Sequence, residues 1–183
     1  DFEFTGGVVA RSDEMELRSE QLLAFADAPE GRNELEVAAA PGELESVRRI
    51  VGRDRVVILQ EGKTIKADEA QFFPREKRAR LSGSTSVATP GAFLSGDQLT
   101  SESGEIVLSG AEGKGRAQSI LNDTGGLGLQ GTSALTSETI VLADTITMKE
   151  LPTNNHFIFD GSVEVLSGAV QLQSGGMKIV SHR

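Results

Sequence analysis

Three carboxylates at comparable places are the first residues that could do chemistry: Asp68 and Asp144 each follow an Ala, and Asp97 follows a Gly. Two carboxyl groups become a general acid–base pair when their surroundings push their pKa values apart. These three instead recur at like positions of a repeat, which assigns them to turns, where an Asp bonds nearby backbone amides. His156 and His182 are the only imidazoles and there is no Cys. His182 is next to last, and His156 follows the turn-like Pro152-Thr153-Asn154-Asn155. Neither a nucleophile–base pair nor a histidine metal centre can be assembled from them. Gly126-Leu127-Gly128-Leu129-Gln130-Gly131 fits the dinucleotide pattern, but the β-branched, Ser/Thr-rich run from Thr132 to Asp144 opens no helix to receive a pyrophosphate. Gly110 to Gly115 resembles a phosphate loop without its distal Gly, where Leu108 stands, and without its closing Ser or Thr. Both are read as glycine turns. Asn122-Asp123-Thr124 is a glycosylation sequon, relevant only in a eukaryotic secretory setting. The expectation is a non-enzyme with no cofactor and no metal.

Charge offers a second kind of site. The 183 residues carry 18 basic and 27 acidic side chains, a net −9 that disfavours nucleic acid as a partner. The basic residues are concentrated: Arg48, Arg49, Arg53 and Arg55 form one group, and Arg75, Lys77, Arg78 and Arg80 another. Such groups serve solubility in many proteins, and they also suit phosphate or carboxylate. No apolar run approaches the length of a membrane-spanning helix. Opening on Asp1-Phe2-Glu3 without Met, the chain is expected to be a processed product.

The elements that would position these residues are strands. The dominant periodicity is two, and Val56–Leu59, Thr64–Ala67, Glu105–Leu108, Thr139–Leu142, Thr145–Met148, Phe157–Phe159, Val163–Val165, Ala169–Leu172 and Met177–Ile179 read as short strands. Turn residues separate them at the spacing of an antiparallel sandwich, barrel or jelly roll. Helix formers between Met15 and Phe25, and helical offsets at Leu44, Val47, Ile50 and Val51, compete with this reading. Both stretches are read as strand, because each runs uncapped into a β-patterned segment. An apolar residue, any residue, then Gly is expected to open strands at Gly6, Gly52, Gly83, Gly131 and Gly161. Glu20, Asp68, Asp97, Asp144 and Gly175 follow these glycines in turn, so the fold is built by stacking similar β units. One surface of the rolled sheet would be lined by Val56, Ile58, Ile65, Phe72, Val87, Leu94, Leu99, Ile106, Leu108, Leu135, Ile140, Leu142, Ile146, Phe157, Phe159, Val163 and Val165. A dry core and a groove for flexible acyl chains both fit such an aliphatic lining.

The run Ile65-Lys66-Ala67-Asp68-Glu69-Ala70-Gln71-Phe72, followed by Leu81-Ser82-Gly83-Ser84-Thr85-Ser86-Val87, resembles the signature of the OstA-like (organic-solvent-tolerance) family of periplasmic lipopolysaccharide-transport proteins. Leu94 to Leu99 and Leu142 to Ile146 are similar to further turns of the same pattern, and the best match covers residues 43–109. The family often has Tyr at the end of the strand, where this chain has Phe72. The resemblance implies one all-β domain over residues 1–183, a half-open β-jelly roll of stacked antiparallel strands. It implies a periplasmic location in a diderm bacterium and a groove that shelters the acyl chains of lipopolysaccharide or a related glycolipid. It also implies edge-to-edge docking with other jelly-roll transport proteins, or with copies of itself. The two basic groups would then meet headgroup phosphates at the rim. The competing expectation is a non-catalytic β-solenoid scaffold that polymerises in the cell envelope. The Leu-Ser-Gly turns at Leu81, Leu94, Leu108 and Leu166 suit it, and the uneven spacing of the repeat opposes it.

Overall fold

Alternation along a segment gives a ribbon with one apolar face, which a sheet can cover by folding over on itself. A computed structural model shows how. It describes residues 1–12, 15–26, 47–60, 62–110, 115–121, 138–168 and 170–182. The strands are β1 (Phe2–Arg11), β2 (Met15–Ala26), β3 (Val47–Gln60), β4 (Lys63–Phe73), β5 (Arg78–Thr89), β6 (Ala92–Glu102), β7 (Glu105–Ser109), β8 (Ala117–Leu121), β9 (Thr139–Ala143), β10 (Thr145–Glu150), β11 (Asn154–Ser167) and β12 (Val170–His182). Both stretches with competing helical patterns are strand wherever they are described, and β1 and β2 belong to the same sheet as the rest.

Neighbours in sequence are antiparallel neighbours in space from β1 to β7. The long strands β6 and β11 are then joined by two short pairs, one through β7 and β10 and the other through β8 and β9, and β12 closes the order on β11. Antiparallel pairing in chain order is the architecture of a jelly roll. It excludes the stacked coils of the solenoid alternative.

Each long strand bends near its middle, and the bends explain the sequence repeat. In β1, β3, β5 and β11 two consecutive residues have positive φ: Gly6-Gly7, Asp54-Arg55, Gly83-Ser84 and Gly161-Ser162. The pairing register shifts beside each of them. The partner strand meets each two-residue bulge with an acid: Glu20, Asp68, Asp97 or Asp144. A two-against-one bulge bends and twists a strand. The glycines therefore do not open strands, as expected from the pattern; they stand at mid-strand corners. At Gly52 the repeat misses its corner altogether, since the bend in β3 falls at Asp54-Arg55. Gly131 lies outside the described residues. The acids belong to these corners rather than to hairpin turns. They follow a small residue and precede a polar, then an apolar or small one, as in Ser19-Glu20-Gln21-Leu22, Gly96-Asp97-Gln98-Leu99 and Ala143-Asp144-Thr145-Ile146.

Glycine is required at two of these corners. A β-carbon on Gly83 would overlap the Asp68 carboxylate, and one on Gly161 would overlap that of Asp144; both glycines also have φ near +70°. The main chain reinforces the second corner, where the Asp144 amide donates to the Gly161 carbonyl at 3.0 Å.

Bending divides the roll into two facing layers. The first contains Arg53 and the residues before it in β3, the second half of β4, and β7 and β10. The second contains the rest of β3, the first half of β4, and β8 and β9. Residues from both layers form one buried cluster, with Leu94, Leu108, Val141, Ile146 and Phe159 fully enclosed.

Candidate functional site

Period-two alternation plus the corner places one residue of nearly every strand in each of two inward rows. In the first layer the row runs Phe4, Leu22, Gly52, Ala70, Leu81, Leu99, Leu108, Ile146, Phe159, Met177. In the second it runs Ala10, Leu17, Ile58, Ile65, Val87, Leu94, Ser119, Val141, Val165, Leu172. The result is an apolar interior that extends across the roll, not a knot of core at its centre.

Of the aliphatic and aromatic positions expected to line one surface, Val56, Ile58, Ile65, Val87, Leu94, Leu99, Ile106, Leu108, Ile146, Phe157, Phe159, Val163 and Val165 share this interior and are buried; Phe72 packs against it partly exposed. Ile140 and Leu142 stand apart. Val141 is the inward residue of β9, so its two neighbours project from the opposite face, half-buried. One residue of offset moves a side chain across the sheet. Leu135 lies outside the described residues.

Small residues complete the rows. Ala67, Ala70, Ala92, Ala117 and Ala143 are almost wholly enclosed. Sequence reasoning passed over them because Ala is a weak strand former. It also passed over Ser119, which is fully buried in an apolar row with no partner for its hydroxyl.

The rows end exposed. Phe2 and Phe4 continue the first-layer face onto β1, yet each is 50% exposed, since among the described residues no strand lies beyond β1. At the far side Leu172 of β12 is 47% exposed. Between the two end strands the inward residues described are mostly buried. The corners close one side. On the other, Lys63 at the start of β4 and Glu150 at the end of β10 meet across the gap between the layers, Nζ donating to Oε2 at 2.6 Å.

The two basic groups sit on the first layer and its turns, and most of their charge is matched. Arg53 pairs with Glu69 at 3.2 Å and Arg55 with Glu20 at 2.5 Å. The Arg49 guanidinium lies 4.2 Å from the centre of the Phe25 ring. Arg78 lies 4.9 Å from that of Phe73 and pairs with Glu76 at 2.6 Å. Arg48 and Arg80 are exposed, while Arg75 and Lys77 belong to the short 3-10 turn between β4 and β5. Asp68, Asp97 and Asp144 are separated along the corner line, and His156 stands in β11 beyond it. Among the described residues no group of acids and histidines could hold a metal.

A solved structure with this fold is that of LptH from Pseudomonas aeruginosa, the LptA-homologous periplasmic component of the lipopolysaccharide transport device. The likeness has a TM-score of 0.50 at 13% identity and covers 65% of this chain and 80% of that one. No protein-family model and no curated protein sequence matches the chain.

Proposed function

We propose that this chain is a non-catalytic periplasmic conduit for lipopolysaccharide or a related glycolipid, with residues 1–183 acting as one domain in a diderm bacterium. The observation that carries this reading is the pair of apolar rows that face each other through the roll and emerge exposed at both end strands. Acyl chains laid between the layers would leave water at a gain of about 0.8 kcal/mol per methylene. The lining would be the inward residues, among them Leu94, Leu108, Ile146 and Phe159. The likeness to LptH supports the direction of this reading.

Among the described residues, end strands β1 and β12 each pair on one edge only. The other edges accept a further strand by main-chain hydrogen bonding, the means by which another jelly-roll protein or a second copy would continue the path. Arg48 and Arg80, exposed on the first layer, are the members of the basic groups best placed to meet phosphate.

A photoreactive phenylalanine analogue tests the lining. Placed at Phe157, which points inward, it should label a co-purified multi-acyl glycolipid; placed at Ile158, one residue outward, it should not. Equal labelling at both, or none at Phe157 when lipid is present, would overturn the conduit reading. Native mass spectrometry of the unlabelled protein establishes whether lipid is present.

A further inference from the structure

The side of the roll opposite the corners is held differently from the rest. Lys63 and Glu150 both occupy inward register positions at the free ends of their strands, in line with Ile65 and Met148. Their side chains are only 13% and 27% exposed. The other ion pairs described above, and Lys149–Glu105 at 2.8 Å beside this one, lie within a layer or within a turn. The Lys63 pair alone among them spans the two layers. A second observation marks the same place. Asn155, the register partner of Glu150, faces inward with its amide oxygen buried and without a hydrogen-bond partner among the described residues. The two ends of an amide are interchangeable by rotation, so Asn155 can offer either an acceptor or an NH2 donor there.

The geometry points to a phosphoryl-binding site at this mouth, built from Lys63 and Asn155, with Glu150 as the resident anion that an incoming phosphate monoester displaces. The inference rests on the conduit reading and names where the headgroup of such a lipid is held. A phosphate offers Lys63 the same kind of charge-assisted hydrogen bond as the carboxylate, with more acceptor oxygens. It also supplies a partner for Asn155, whose unmade hydrogen bond is a cost in the closed state. Once Lys63 turns to the phosphate, its ion pair no longer spans the layers, and the packing of the apolar rows is left to hold β4 and β10 together on this side.

Dodecyl phosphate and dodecyl maltoside, which share a tail, separate the mouth from the interior. Their affinities should be measured by calorimetry on the intact chain and on two variants, with melting temperatures taken to confirm folding. The unmodified protein should prefer the phosphate by about tenfold. Lys63→Met should abolish that preference and leave maltoside affinity in place. Glu150→Gln should strengthen phosphate binding severalfold by removing the competitor, and it carries the test alone should Lys63→Met not fold. An unchanged phosphate-to-maltoside ratio in the folded variants would overturn the site while leaving the conduit reading standing. Failure of both amphiphiles to bind would sink both readings. Inorganic phosphate should compete only weakly; competition as strong as that of dodecyl phosphate would refute a lipid headgroup as the ligand.

Discussion

The two sides of the roll that join its layers are built on opposite principles. Along the corner line every long strand passes continuously from one layer to the other, fixed by paired positive-φ residues and by acids packed against glycine. Along the mouth the layers meet through side chains, with Lys63 and Glu150 as the ion pair across the gap. Covalent continuity and steric fit make the first side a fixed spine. A partly buried ion pair across the gap makes the second a fastening whose strength depends in part on what else can bind Lys63. The difference places any opening of the interior at the mouth.

Substitutions at the spine should be the most damaging. Gly161→Val forces a β-branched residue into the left-handed region against Asp144, and should cost about 4 kcal/mol in a urea titration. Adding Asp144→Gly should restore the packing part of that loss and leave the backbone strain. Opening a cavity between the layers comes next: Leu94→Ala should cost about 3 kcal/mol. The outward neighbour Phe93, 38% exposed, should cost about 1 kcal/mol or less when changed to Ala. Equal losses at these two positions would mean that the rows are not the core. At the mouth, Lys63→Met should cost only about 1 kcal/mol, since one modest ion pair is lost. A loss as large as that of Gly161→Val would erase the contrast between spine and fastening.

The smallest effect belongs to Glu16, at the start of β2. Hydrogen bonds from Arg11 first, then from Arg18, hold its carboxyl below the ordinary value of 4.5. A lowered folded pKa gives stability that is present above 4.5 and lost as pH falls through the folded value. Glu16→Gln should therefore slightly flatten the fall of melting temperature below pH 4.5 and leave neutral pH almost unchanged.

Much of this was legible in the sequence because period two is a direct record of which face is buried. Ile146 and Met148, with Thr147 between them, or Val163 and Val165, with Glu164 between them, announce their face by alternation alone. The error at β9 shows the limit. Thr139-Ile140-Val141-Leu142-Ala143 is apolar at three successive positions, and the larger Ile140 and Leu142 look like the core; the register with β8 and β11 turns Val141 inward instead. The corners were half visible. The glycines and acids recur, yet Asp54 and Arg55 take up left-handed backbone with no glycine to signal it, so the bend in β3 could not be placed. The mouth was silent, because Lys63 and Glu150 are 87 residues apart and each looks like an ordinary charge at a strand end.

The uninterrupted passage of each strand around the spine has a consequence for how motion in this protein would be detected. Swinging the layers apart changes the angle at the corners, while the ladders within each layer keep their hydrogen bonds. Amide hydrogen exchange would then record a rigid molecule before and during the swing. Spin labels on the outward faces, at Lys66 of β4 and Lys149 of β10, would instead report it as a lengthening distance between the layers.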